Sequence, residues 1–159
     1  MRKFFPLLLL CFLSCQSIHE KSEPEQVNEQ DYLHLVGQSV LSLDSVIDSE
    51  EKQEEIVLLY HPFDCGTCID SGFVYTKKIA ESKKRKTRII TIMNNPAMEQ
   101  KRNEYFEYIY IDRNDRIRKE LKYVQTPIFL LIDSTRIIKD YFLPNNSEPY
   151  EIERFMSKL

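Results

Sequence analysis

The stretch that decides the fold is a strand-like run leading into two cysteines, Glu55-Ile56-Val57-Leu58-Leu59-Tyr60-His61-Pro62-Phe63-Asp64-Cys65-Gly66-Thr67-Cys68. Within 55–60, residues 56–59 are aliphatic without interruption, which predicts a strand buried on both faces. After Cys68, spaced apolar residues followed by the cationic Lys83-Lys84-Arg85-Lys86 predict an amphipathic helix, because cations are favoured at a helix C-terminus. The two cysteines therefore lie where a buried strand passes into a helix.

The rest of the chain alternates between strand and helix patterns. We expect strands at 88–93, 128–132 and 137–142, a short apolar segment at 108–111, and helices at 96–105, 112–122 and 150–159. Asp112 is a candidate N-cap of the middle helix. The segment from Leu33 to Leu43 is interpreted as a short strand or turn that covers one edge of the domain. This order predicts an α/β fold, a central mixed β-sheet flanked by helices on both faces.

Composition limits the size of the protein and the kinds of partner. The 159 residues are 42% hydrophobic and 30% charged, which suffices for one packed core but not for two. The net charge of −3 lacks the strongly basic character of nucleic-acid-binding proteins, so we expect no nucleic-acid partner. The three glycines, Gly37, Gly66 and Gly72, cannot assemble either common phosphate-binding loop, which argues against a nucleotide enzyme.

The first residues have the layout of a bacterial export signal. Arg2 and Lys3 precede an apolar run at 4–13, which at about ten residues is half the length needed to span a membrane as a helix. The sequence Phe12-Leu13-Ser14-Cys15 resembles the lipobox of bacterial lipoproteins. That resemblance implies a signal peptide at 1–14 and a diacylglycerol on the thiol of Cys15. A plain secreted protein and an uncleaved anchor remain open as alternatives.

The residues that follow Cys15 predict a tether. Residues 15–30 are polar and acidic with two aliphatic side chains, too few to offset the entropy of ordering the chain. A flexible segment of this length has a root-mean-square reach of roughly 20 Å, which holds a domain clear of a membrane. We expect the domain at 31–159 to lie in the bacterial cell envelope, facing the periplasm or the exterior.

The spacing of Cys65 and Cys68 gives the two thiols complementary chemistry. The positive end of a helix stabilises a thiolate and lowers its pKa, which makes Cys65 a candidate nucleophile. One helical turn on, Cys68 can attack a mixed disulfide formed on Cys65. A static disulfide remains an alternative interpretation. A structural zinc site is less favoured, because it needs about four Cys or His ligands and a lipidated Cys15 would not contribute.

Together with Gln125-Thr126-Pro127-Ile128-Phe129-Leu130-Leu131-Ile132-Asp133 and the hairpin Ser134-Thr135-Arg136-Ile137-Ile138, the segment around the cysteines resembles the thioredoxin fold. It is more closely similar to the membrane-tethered extracytoplasmic proteins of the TlpA and ResA kind, over about residues 36–159. The resemblance implies a thiol-disulfide oxidoreductase in which Cys65 attacks, Cys68 resolves, and Thr126 with a cis-proline at Pro127 docks the substrate. It also implies protein dithiol or disulfide substrates, a redox partner that supplies electrons, and neither a metal nor an organic cofactor.

Two positions depart from the family pattern. Asp64 replaces the usual tryptophan, and its charge would disfavour a thiolate on Cys65. Leu59 replaces the buried acid of cytoplasmic thioredoxins, and His61 is a candidate compensating cation or proton shuttle. The direction of the reaction therefore stays open, as does the alternative of a binding module with a static Cys65–Cys68 disulfide. A peroxidase of the peroxiredoxin kind is disfavoured, because those enzymes place a threonine shortly before a lone attacking cysteine.

Overall fold

The computed structural model describes residues 34–48, 52–83, 85–93, 109–144 and 149–159. These residues form a five-stranded sheet in the order β3-β2-β1-β4-β5. The strands are β1 (Glu55–Tyr60), β2 (Lys86–Thr91), β3 (Ile109–Ile111), β4 (Ile128–Ile132) and β5 (Ile138–Phe142). The helices are α1 (Ser42–Ile47), α2 (Gly66–Lys83), α3 (Arg116–Glu120) and α4 (Pro149–Ser157).

The sheet is mixed, as predicted, and its register brings several loops together. β1 runs parallel to β2, with Tyr60 opposite Thr91, and β2 runs parallel to β3, with Thr91 opposite Ile111. β1 runs antiparallel to β4, with Leu59 opposite Ile128. The ends of β1, β2 and β3 and the start of β4 therefore meet at one edge of the sheet, which we call the cysteine edge.

Helices cover both faces of the sheet, because successive residues of a buried strand point to opposite sides. Leu59 of β1 packs in a cluster with apolar residues of α1 and α3, and Leu58 packs in a second cluster with residues of α2 and α4. The close approach of α2 to β1 depends on Gly72, where a Cβ atom would lie 3.1 Å from Cδ2 of Leu58. This packing holds the start of α2 against the end of β1.

The helix predicted at 112–122 is shorter in the structure and begins at Arg116. Asp112 is not its N-cap residue, although its carboxylate accepts the backbone N–H of Ile117 at 2.8 Å. Asp115 occupies the N-cap position in a left-handed conformation with φ 52°. A turn therefore separates β3 from α3, closed by the N–H of Asp115 donating to the carbonyl of Asp112 at 2.8 Å.

The segment before β1 is more helical than its sequence suggests. Ser39 forms an isolated antiparallel bridge with Ile137, and residues 42–47 then form α1. The carboxylate of Glu120 on α3 accepts the N–H groups of Leu41 at 2.9 Å and Ser42 at 3.0 Å. The start of α1 is thus stabilised by a side chain distant in the sequence.

The predicted signal peptide at 1–14, the predicted lipidation site Cys15, the predicted tether at 15–30 and the predicted helix at 96–105 lie outside the described residues. Within the described ranges, none of the helices combines the length and the apolar character needed to cross a membrane.

A buried ionic cluster of Glu55, Arg88, Arg136 and Asp44 lies at the edge of the sheet opposite the cysteine edge. Arg136 donates to Glu55 at 2.5 Å and to Asp44 at 2.6 Å, and Arg88 donates to the other oxygen of Glu55. Arg88 also donates to the hydroxyl of Tyr110 at 2.7 Å. Glu55 and Arg136 are each 1% exposed in their side chains, so this carboxylate depends on its two arginines for compensation.

The same cluster holds α1 against the sheet through Asp44. Burial by itself raises the pKa of Asp44, but hydrogen bonds from Lys52 and Arg136 outweigh it and keep that pKa below its ordinary value. Arg136 lies at the turn between β4 and β5 and has φ 66°, a backbone conformation that residues other than glycine rarely adopt.

Candidate active site

The two cysteines form a disulfide at the start of α2, with 5.2 Å between their Cα atoms. Cys65 is exposed and Cys68 is half-buried. The carbonyl of Cys65 accepts the N–H of Ile69 at 3.0 Å, which places Cys65 at the N-terminal turn of the helix. A partner approaching from solvent therefore reaches the sulfur of Cys65 more readily than that of Cys68.

Thr67 contributes a hydroxyl that the sequence analysis missed. Its Oγ1 lies 3.0 Å from Sγ of Cys65, and the residue is exposed. When the disulfide is reduced, this hydroxyl is placed to donate to a thiolate on Cys65, and hydrogen bonds to an ionised acceptor are the stronger kind. The only signal in the sequence was a hydroxyl residue between the two cysteines.

Asp64 joins the cysteine loop to the loop that precedes β4. One carboxylate oxygen accepts the backbone N–H of His61 at 2.7 Å, and the other accepts the hydroxyl of Thr126 at 3.0 Å. The N–H of Asp64 donates in turn to the carbonyl of His61 at 2.9 Å. Both oxygens therefore face donors of the protein, and the side chain acts as a structural link between two loops of the cysteine edge.

His61 is engaged with the loop that contains Phe63. Its Nδ1 accepts the backbone N–H of Phe63 at 3.2 Å. The two rings lie 5.3 Å apart, and Phe63 is 80% exposed. The loop thus displays an aromatic side chain directly before the reactive pair.

The peptide bond between Thr126 and Pro127 is cis, and both residues are buried. Ile128, the next residue, pairs with Leu59 near the end of β1. This pairing and the hydrogen bond from Thr126 to Asp64 hold the cis-proline loop beside the cysteine loop. The structure therefore brings the predicted site residues together at the cysteine edge, while Cys15 lies outside the described residues.

The end of β1 offers the cysteines no carboxylate. Leu59 is 1% exposed and belongs to the apolar core. Glu55, the acid of this strand, lies four residues away, about 13 Å along an extended chain. Among the described residues, no three His, Cys, Asp or Glu side chains are grouped so as to hold a metal ion.

No family model matches the sequence, and no curated protein is significantly similar to it. Among solved structures, the chain is similar to a secreted disulfide oxidoreductase of Mycobacterium tuberculosis that is homologous to Escherichia coli DsbE. The two share 12% identity over 69% of this chain and 84% of that chain, with a TM-score of 0.50.

The chain is also similar to StoA from Bacillus subtilis, with 15% identity, 70% and 90% of the two chains covered, and a TM-score of 0.48. The reduced 2-Cys peroxiredoxin of Plasmodium vivax has 13% identity, 67% and 77% coverage, and a TM-score of 0.49. The likeness to the oxidoreductase of Mycobacterium tuberculosis is one of fold, and the chain has the thioredoxin-like fold, a mixed sheet flanked by helices.

Proposed function

We propose that this protein is a thiol-disulfide oxidoreductase that exchanges electrons with protein dithiols and disulfides through the Cys65–Cys68 couple. The observation that carries the proposal is the disulfide between an exposed and a half-buried cysteine at a helix start, beside a cis-proline loop. An exposed sulfur can meet a protein substrate, and a second sulfur within reach can release it.

The exchange has two steps in the reducing direction. The thiolate of Cys65 attacks a substrate disulfide, whose S–S bond breaks as one substrate sulfur leaves as a thiolate. The thiolate of Cys68 then attacks Cys65, which re-forms the Cys65–Cys68 bond and expels the second substrate sulfur. Two electrons pass to the substrate, and a partner dithiol must restore the reduced pair. Reversal of the same steps oxidises a substrate dithiol.

Neighbouring residues support these steps in distinct ways. Thr67 donates a hydrogen bond to the thiolate of Cys65, and the N-terminus of α2 adds its partial positive charge. Thr126 and Pro127 dock the substrate through main-chain contacts, and Asp64 holds their loop at a fixed distance from Cys65. Because β1 has no acid near the pair, the proton of Cys68 leaves to water or to the departing substrate sulfur.

The test is disulfide reduction with insulin as substrate and a dithiol as electron donor. We expect Cys65→Ser to abolish the rate above background, and Cys68→Ser to accumulate a mixed disulfide between Cys65 and the substrate. The variant with both Cys65→Ser and Cys68→Ser should form no mixed disulfide with the substrate and is the control. If Cys65→Ser left the rate unchanged, the proposal would be wrong. A reduction potential below about −300 mV would instead favour a static bridge in a binding module.

We also propose that the domain is tethered to a membrane of the bacterial cell envelope by lipid on Cys15. The lipobox-like Phe12-Leu13-Ser14-Cys15 and the polar residues 16–30 support this location. In a bacterial host, Cys15→Ala should prevent incorporation of a labelled fatty acid and move the protein out of the membrane fraction. Cys11→Ala is the matched control and should behave like the wild type. Labelling that persists in Cys15→Ala would exclude this anchor.

A further inference from the structure

A group of exposed cations lies around α3, beside the cysteine edge. We call this group the cationic rim and define it by Arg113, Arg116, Lys119 and Lys122, all of which are exposed. The whole chain has a net charge of −3, whereas residues 112–123 contain five cations and three carboxylates. This segment therefore has a net positive charge in a protein whose overall net charge is negative.

The three carboxylates of this segment are turned towards the protein. Asp112 is 2% exposed, and Asp115 lies 3.6 Å from Arg118 in an ion pair. Glu120 accepts the N–H groups at the start of α1. The charge that the segment presents to solvent is consequently positive.

The end of α3 displays Lys122 in an unusual backbone conformation. The N–H of Lys122 donates to the carbonyl of Lys119 at 3.1 Å, and that of Tyr123 donates to Arg118 at 2.5 Å. This pattern is a Schellman motif, in which the position of Lys122 is usually glycine. Lys122 and Tyr123 have φ values of 57° and 59°, and Tyr123 is 60% exposed.

The two ends of the rim, Arg113 and Lys122, adjoin the loops of the cysteine edge. Lys122 precedes Thr126 by four residues, a span of at most about 14 Å, and the hydroxyl of Thr126 reaches Asp64, the neighbour of Cys65. At the other end of the rim, the N–H of Asp112 donates to the carbonyl of Thr91 at 2.7 Å. That bond holds the start of the segment at the cysteine edge.

From this placement we propose that the cationic rim binds carboxylates near the reacting cysteine of the partner protein, so that the couple prefers acidic segments. The inference rests on the proposed oxidoreductase function and names the chemistry of its substrate. Arginine pairs with carboxylates through two parallel hydrogen bonds, and a positive rim raises the rate of encounter with an acidic segment. The exposed Phe63 and Tyr123 add apolar contacts at the same edge.

The experiment compares two peptide disulfides of otherwise identical sequence. One has aspartate residues flanking the cysteine, and the other has asparagine residues at the same positions. With the full chain, we expect kcat/KM to be roughly tenfold higher for the aspartate peptide at low ionic strength, and the difference to shrink with added salt. Lys122→Gly with Arg113→Glu should abolish the preference. Glycine suits the backbone at residue 122, and an unfolding curve checks that the variant is folded.

Lys78→Glu is the matched control, because Lys78 is exposed on α2 about 18 Å along the helix from Gly66. It should keep the preference unchanged. Equal rates for the two peptides, or a preference that survives in the folded double variant, would overturn the inference and leave the oxidoreductase proposal standing. Absence of reaction with both peptides would overturn the oxidoreductase proposal itself.

Discussion

Replacing Arg136 by glycine tests the buried ionic cluster, because the substitution has two opposing effects. It removes the cation that bonds to Glu55 at 2.5 Å and to Asp44 at 2.6 Å, and it relieves a backbone with φ 66°. Removing one partner of a buried ion pair costs about 3–5 kcal/mol, and a glycine in this conformation returns about 1 kcal/mol. We expect a net loss of about 2–4 kcal/mol in the free energy of unfolding.

Urea unfolding followed by circular dichroism measures this loss. For a slope of about 2 kcal/mol per molar urea, the midpoint should fall by roughly 1–2 M. Lys122→Gly is the matched control, since Lys122 has φ 57° but an exposed side chain. That variant should gain about 1 kcal/mol, because glycine has no Cβ atom to clash in this conformation. If Arg136→Gly were as stable as the wild type, or gained stability like the control, the cluster would contribute nothing and the reasoning would be refuted.

Three further predictions concern polar side chains that hydrogen-bond to other parts of the chain. Thr126→Val removes the hydroxyl that reaches Asp64, and steady-state kinetics with a peptide disulfide should show a KM raised about 2- to 10-fold with kcat little changed; an equal loss in kcat would argue against a positioning role. The hydrogen bond from the N–H of Ile137 is the largest cause that lowers the pKa of Asp133 to about 2. The ionised carboxylate therefore stabilises the folded protein above its ordinary pKa of 3.8, and this stabilisation is lost as the pH falls through 2. Asp133→Asn should therefore cost about 1 kcal/mol at neutral pH and nothing in strong acid, as unfolding curves at several pH values would show. Glu120→Ala leaves two N–H groups at the start of α1 without their acceptor and should cost about 0.5–2 kcal/mol by urea unfolding, with Glu120→Gln recovering part of that loss.

The strands at 55–60 and 128–132 lie where the sequence predicts them, because uninterrupted apolar runs of strand length admit one interpretation in an α/β pattern. The helix after Cys65 follows from apolar spacing over several turns. The prediction was less accurate for α3, since Asp112 and Asp115 both resemble N-cap residues and only the turn geometry separates them. The helix α1 was missed because its start depends on Glu120, which is 79 residues from Leu41.

The candidate site also combines features that local sequence predicts with features that depend on tertiary structure. The spacing of Cys65 and Cys68 within one helical turn is a local signal, whereas the cis-proline at Pro127 was expected from the resemblance to the thioredoxin fold, and the structure has that peptide bond in the cis form. The link from Asp64 to Thr126 joins residues 62 positions apart, and the sequence instead suggested that Asp64 acts on Cys65 through its charge. Only the pairing of β1 with β4 brings that hydroxyl within reach.

The sequence by itself determined four of the five strands of the described sheet, its mixed character and the pair of thiols at the start of a helix, since hydrophobic periodicity and helix-end electrostatics act between near neighbours. Tertiary structure alone decided which groups face those thiols, how Glu55 is compensated between two arginines, and which cations stay exposed beside the cysteine edge. These outcomes depend on strand register and on how distant side chains meet, and a shift of one residue in register would exchange the two faces of a strand.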